Sequence, residues 1–234
     1  MIVLDDVQHL EQLRRLFKVK KNEIKMMQYR GMVLSQTKSI NVDLNLISLD
    51  PTVLLDMKFE QFLAYRKKNN NFRSREEFSA IYYDKQGKAV VVVYLYAPEG
   101  AKVNSQAFNQ QVRKMIFGKS EYLHFILISE NGVASPSISF LEERSALKYE
   151  NYLDEQLAIN PMEHAFSPLK VEYIKPSDVK QFIKDEELKN ASHLALARTD
   201  DIICKYVGAE PHGMLKLTVV SNIYPVNVFY RYVV

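Results

Sequence analysis

The chain has 234 residues, of which 47% are apolar and 25% charged, with seven glycines, no tryptophan and a single cysteine. Those proportions exclude wholesale disorder and argue against a glycine-rich nucleotide-binding scaffold, and one thiol excludes an internal disulfide framework and fits a reducing compartment. The net charge of +3 is uneven: residues 1–150 hold 22 Lys and Arg against 17 Asp and Glu, whereas residues 151–234 hold 9 against 11. A basic front and a mildly acidic back imply two units with different neighbours.

The longest apolar run, Ala89 to Pro98, is about half of what a membrane helix needs. Met1 to Asp6 carries acids where a secretory signal carries bases, so a soluble, intracellular chain with no membrane partner is expected. In chain order, a long helix is predicted from about Asp5 to Tyr29, with Leu10, Leu13, Phe17, Ile24 and Met27 on one stripe. Arg30-Gly31 supplies its stop. A second helix is predicted from about Pro51 to Arg66, followed by a polar, basic loop from Tyr65 to Arg75.

The period then changes to two. Phe78 to Tyr83 and Ala89 to Tyr96 read as strands flanking the turn Asp84 to Gly87, and Val90 to Val93 reads as covered on both faces. Asn104 or Ser105 caps a helix that buries Phe108, Val112, Met115 and Ile116. Tyr122 to Ser129 is expected as a strand, Ser137 to Leu141 as a further strand, and Ser145 to Leu157 as a helix ending before Asn160-Pro161. Beyond that point Val171 to Ile174 reads as a strand and Ser177 as the cap of a helix running to Asp185. His212-Gly213 opens a strand from Met214 to Val220, and Val226 to Val234 reads as the last. The first unit, residues 1–158, is therefore expected to be α/β and the second, residues 159–234, a small α+β domain.

The five histidines (His9, His124, His164, His193 and His212) show no metal-ligand spacing, and no phosphate-binding glycine loop or nucleophile elbow occurs. No metal, cofactor or catalytic residue is expected. Cys204, in an apolar run, reads as a buried structural thiol. Asp200-Asp201 invites a two-metal reading, but neighbours on an extended segment point oppositely, which favours a turn or a helix cap. A nuclease-like layer needs an acid–lysine pair on its second strand; here Asp84 and Lys85 lie in the turn instead. Lys67, Lys68, Arg73 and Arg75 form the densest basic stretch, read either as a solvated surface or as phosphate contacts.

The second half also resembles a known family. Glu150 to Asn160 followed by Pro161, His164, Phe166 and Pro168 resembles the linker signature of the fifth shared subunit of nuclear DNA-dependent RNA polymerases, whose C-terminal domain also exists alone as a small subunit of archaeal RNA polymerases. From His193 the likeness runs on: Asp201, then Lys205-Tyr206 and Gly208, then Lys216, Ser221 and Tyr230-Arg231. Arg15 to Lys21 with Arg30-Gly31 is similar to the family's opening helix, and Arg73 to Phe78 to the lead into its first jaw strand. Ile202 stands in place of a proline, Val219 of an arginine, Pro225 of a glycine and Lys170 of a histidine. Such drift fits a divergent lineage or a large-DNA-virus copy.

The resemblance implies an N-terminal jaw domain (1–158), a nuclease-like layer without a catalytic site, and a C-terminal assembly domain (159–234). It implies a non-catalytic subunit that docks on the largest polymerase subunit beside other subunits and lines the downstream DNA channel. His164, Pro168, Asp201, Lys205, Tyr206, Lys216, Ser221, Tyr230 and Arg231 would face the partner, and Lys67, Lys68, Arg73 and Arg75 the duplex. The compartment would be the nucleus for a cellular chain and the virion or host cytoplasm for a viral one. The alternatives are a stand-alone nucleic-acid-binding protein with a degenerate nuclease-like domain and a host-directed mimic of the subunit.

Overall fold

A computed structural model describes residues 4–34, 51–68, 75, 78–98, 100–113, 124–143, 147–164, 168–188, 190, 193–220 and 226–234. The chain divides into two units, Met1–Ala158 and Ile159–Val234. Among the described residues, no helix is long and apolar enough to cross a membrane.

The first unit begins with α1, Leu4–Tyr29. From Leu10 onward it buries Leu13, Leu16, Phe17, Val19, Ile24, Met26 and Met27, while Leu10, expected on the same stripe, is exposed. Gly31 ends the helix in the left-handed region at φ +72, and the Met32 N–H returns to the Met27 carbonyl at 2.9 Å. The single helix expected from Pro51 to Arg66 is two: α2, Pro51–Asp56, and α3, Phe59–Lys68. A new cap explains the break. The Lys58 N–H donates to Gln61 Oε1 at 2.8 Å, a side chain reaching back one turn to start a second helix.

Five strands form one mixed sheet in the order β1-β2-β3-β4-β5. They are β1 (Val33–Leu34), β2 (Ala80–Tyr83), β3 (Ala89–Tyr94), β4 (His124–Ser129) and β5 (Lys148–Leu153). The β2–β3 hairpin closes as expected, with Asp84 Oδ1 accepting from the Gln86 and Lys88 N–H groups at 2.8 Å each. Val90 to Val93 is buried throughout. Val91 and Val93 join Phe108, Val112, Phe125, Leu127 and Leu141 in one core, and the Tyr94 hydroxyl on the other face donates to Glu23 of α1 at 3.4 Å. A strand roofed on both sides needs no polar alternation.

Two expectations fail between β4 and the end of the unit. Ser137 to Leu141 is not a strand but lies inside α5, Ser135–Glu142, which has proline in its first turn and buries Ser137 and Leu141 four residues apart. Conversely, 148–153, within the helix expected from Ser145 to Leu157, is β5, parallel to β4 from His124↔Lys148 to Ser129↔Leu153, and Asp154–Ala158 is helix α6; residues 145 and 146 lie outside the described residues. Pairing with an apolar strand overrides the weak local preference of Lys-Tyr-Glu-Asn-Tyr-Leu. Between β3 and β4, Asn104 caps α4, Ser105–Phe108, by accepting from the Ala107 N–H, and a π-helical turn over Asn109–Arg113 follows. Met115 and Ile116 lie outside the described residues.

Among its described residues, the second unit has a four-stranded mixed sheet and two helices. The strands β6 (Lys170–Ile174), β7 (Ala195–Ala197), β8 (Met214–Val219) and β9 (Asn227–Val233) lie in the order β6-β8-β9-β7. Only the β7–β9 pair is parallel. The helices are α7, Val179–Asp185, and α8, Ile202–Val207. Val171, Ala197, Cys204, Val207, Leu215, Leu217 and Val233 form the core between α8 and the sheet. Asp178, not Ser177, occupies the cap position of α7, and the Ser177 hydroxyl donates to its carboxylate at 2.9 Å. The described elements are mixed α/β in both units.

Candidate functional site

Two clusters of ionisable side chains concentrate the chemistry of the first unit. In a parallel pair, side chains in register share a face, so His124 of β4 and Glu150 and Tyr152 of β5 project to one side of the sheet. Arg30, just past the end of α1, meets them there. Its guanidinium donates to Glu150 Oε1 at 2.9 Å and Oε2 at 2.7 Å, and to the Tyr152 hydroxyl at 2.9 Å. His124 Nε2 lies 2.8 Å from Glu150 Oε1, and the Tyr152 hydroxyl donates to Oε2 at 2.9 Å. Burial alone would raise the Glu150 pKa, but the Arg30 charge and the hydrogen bonds from His124 and Arg30 outweigh it and hold the carboxyl well below its ordinary value. Tyr152 is pushed up by burial and by Glu150. Both carboxylate oxygens are thus committed to donors from this same cluster.

The second cluster surrounds Tyr94. Lys20 and Glu23, one turn apart on α1, are ion-paired and buried, and Lys20 Nζ also donates to the Phe78 carbonyl at 2.8 Å. Arg75 grips Asp154 with two bonds of 2.7 and 2.6 Å, and its guanidinium stands 5.9 Å from the Tyr94 ring. The sequence reads Arg75 in a basic loop as either solvated or contacting phosphate; its side chain is instead only 12% exposed and its charge is matched by Asp154. Lys67 and Lys68 end α3, but their side chains, like all of Arg73, lie outside the described residues. Asp84 spends its carboxylate on turn N–H groups. Among the described residues, no group of three or more His, Cys, Asp or Glu side chains is arranged to hold a metal ion.

In the second unit the residues that carry the resemblance fall into three places. Asp201 caps α8, its Oδ1 accepting from the Ile203 N–H at 2.9 Å, and Gly208 closes the same helix at φ 69. Lys205 and Tyr206 lie between these caps, with Tyr206 buried. Ile202 is the first helical residue of α8. Asp200 is held apart by the Arg198 guanidinium at 3.0 and 2.9 Å, so the two aspartates do not converge.

Lys216 and Tyr230 are paired in register across β8 and β9, and both donate to Glu186, the residue after α7, at 2.5 Å. The Phe182 ring meets Tyr230 edge-on at 5.9 Å. Hydrogen bonds from Lys216 and Tyr230 lower the Glu186 pKa, and the bond to Glu186 raises that of Lys216. Arg231 points to the other face, opposite Leu215 and Ala195, and is exposed along with His164. Pro168 is half-buried and Ser221 lies outside the described residues.

Sequence reasoning missed Glu186, Arg30 and Glu150 as hubs. The available signal was an ionisable residue inside an otherwise apolar or aromatic strand, His124 before Phe-Ile-Leu-Ile and Glu150 in Tyr149-Glu-Asn-Tyr152. No protein-family model and no curated protein matches the chain.

Proposed function

We propose that the chain is a non-catalytic subunit of a multisubunit DNA-directed RNA polymerase. In this reading Ile159–Val234 docks on the largest subunit and Met1–Ala158 stands beside the downstream DNA, and catalysis belongs to the partners. The compartment follows the source: the nucleus for a cellular polymerase, the virion or host cytoplasm for a viral one.

One observation supports the reading most. The motif Asp201…Lys205-Tyr206-x-Gly208 is a helix with its own start and stop, and Lys216 and Tyr230 are neighbours on the adjoining sheet. Residue types and spacings that resemble the family thus have a common structural cause. Tyr230 and Lys216 are engaged by Glu186, which leaves exposed Arg231 as the best-placed residue for a partner carboxylate or carbonyl.

The test is affinity capture of the full chain from its source, with mass spectrometry of what it retains. Co-purification of the largest polymerase subunit, weakened by Arg231→Ala, is the expected result. A chain that migrates alone at its own mass in native extract would overturn the reading.

A further inference from the structure

The outer face of α1 carries a row of cations that neither ion-pair cluster uses. Arg14, Lys18 and Lys21 are spaced by four and three residues, which keeps them within about 60° of one another around the helix, over a length of about 10 Å. Arg15 flanks the row. Arg14, Arg15 and Lys18 are exposed and Lys21 is half-buried. Between Gln12 and Asn22 the helix contains no acid. Two members are held in place: the Arg14 guanidinium lies 5.0 Å from the Phe59 ring, and Lys21 Nζ donates to the Met57 carbonyl at 3.1 Å while standing 5.0 Å from the Phe17 ring. Exposed Glu11 heads the row and Glu60 follows Phe59 in α3, so the useful surface is the stretch from Arg14 to Lys21.

We propose that this stripe binds the sugar–phosphate backbone of duplex DNA, which deepens and rests on the reading of Met1–Ala158 as the DNA-facing unit. The stretch from Arg14 to Lys21 spans about three phosphate intervals of one strand at roughly 3.4 Å each, and cation rows release counterions from such a backbone without reading bases. Three alternatives fit less well. An anionic membrane needs an apolar helix face to insert, and that face (Leu13, Leu16, Phe17, Val19, Ile24) is already buried in the unit's core. A single strand needs aromatic rings for stacking, and none is exposed between Leu10 and Gln28. An acidic protein needs a cluster of apolar anchors, and beside Arg14, Arg15 and Lys18 α1 exposes one large apolar side chain, Leu10.

The experiment uses the purified full chain and a mixed-sequence duplex of about 30 base pairs, with binding measured by fluorescence anisotropy from about 50 to 200 mM salt. The triple substitution Arg14→Gln, Arg15→Gln, Lys18→Gln should reduce the log–log salt slope by up to about 2.7, equally for two unrelated sequences. Lys18→Gln alone should reduce it by up to about 0.9, which keeps the test valid if the triple variant loses helicity by circular dichroism. An unchanged slope in both variants overturns the proposal. So does equal or tighter, substitution-sensitive binding to phosphatidylserine vesicles, poly-glutamate or single-stranded DNA. Duplex binding by the stripe without any captured polymerase subunit would overturn the polymerase reading and leave this one standing.

Discussion

Glu150 accepts hydrogen bonds on both oxygens from side chains whose own charges or hydroxyls are buried with it. Removing one member of such a set leaves an uncompensated charge in the interior, so Arg30→Ala is expected to cost the first unit about 3–5 kcal/mol in urea unfolding. Because the folded-state pKa of Glu150 lies below the ordinary value of 4.5, its stabilising contribution is complete above that pH and is lost as the pH falls through the acid range. Glu150→Gln should therefore flatten the acid limb of stability against pH, read from urea midpoints. Asp201 makes a smaller, local contribution: Asp201→Ala is expected to cost about 1 kcal/mol, and Asp201→Asn far less, because either oxygen can cap α8. Cys204 is fully buried, and burial with Asp201 nearby pushes its thiol up to about 11. Such a raised thiol holds little thiolate, the reactive form, at neutral pH. A thiol reagent should accordingly modify the chain only as the second unit unfolds.

The element that decides the second unit is β9. It pairs along its length with β8 and through its last three residues with β7, so it is an interior strand of a four-stranded sheet. Deleting 226–234 should abolish cooperative melting of the second unit, because β7 would lose its partner and Val233 would leave the core. Arg231→Ala, at an exposed position of the same strand, should change stability by no more than about 0.5 kcal/mol. If it melts the unit as badly as the deletion does, the side chain is structural and its assignment to a partner is wrong. The same logic explains Lys216 and Tyr230, whose bonds to Glu186 tie the end of α7 to β8 and β9.

At the scale of the whole molecule, each unit has its own sheet and its own core. Residues 1–158 and 159–234, expressed separately, should each retain helix and strand content by circular dichroism and melt cooperatively, since 76 residues around a mixed sheet are enough for independent folding. The excess of bases in residues 1–150 and of acids in 151–234 then belongs to separable modules. Duplex affinity should follow the first fragment and retention on a large protein partner the second.

Much of this architecture is legible in the residues because it is encoded locally. The seven-residue recurrence of Phe17 and Ile24 defines α1, Gly31 stops it, Asp84 to Gly87 turns the hairpin, and an unbroken valine run marks a covered strand. Asp200-Asp201 as a turn or a helix cap is also readable, whereas the short helix that Asp201 starts over Ile202–Val207 is a finding of the structure. What only the tertiary structure decided are the features that depend on partners far along the chain. Lys148 to Leu153 has no strong preference of its own and becomes a strand because β4 offers it a parallel ladder. Arg30 and Glu150 lie 120 residues apart, and Arg75 and Asp154 are 79 apart; nothing local in either segment says that these charges will be buried together. Periodicity and turn chemistry act over a few bonds, whereas desolvation and charge pairing act through space, and only the folded chain fixes which charges share the interior.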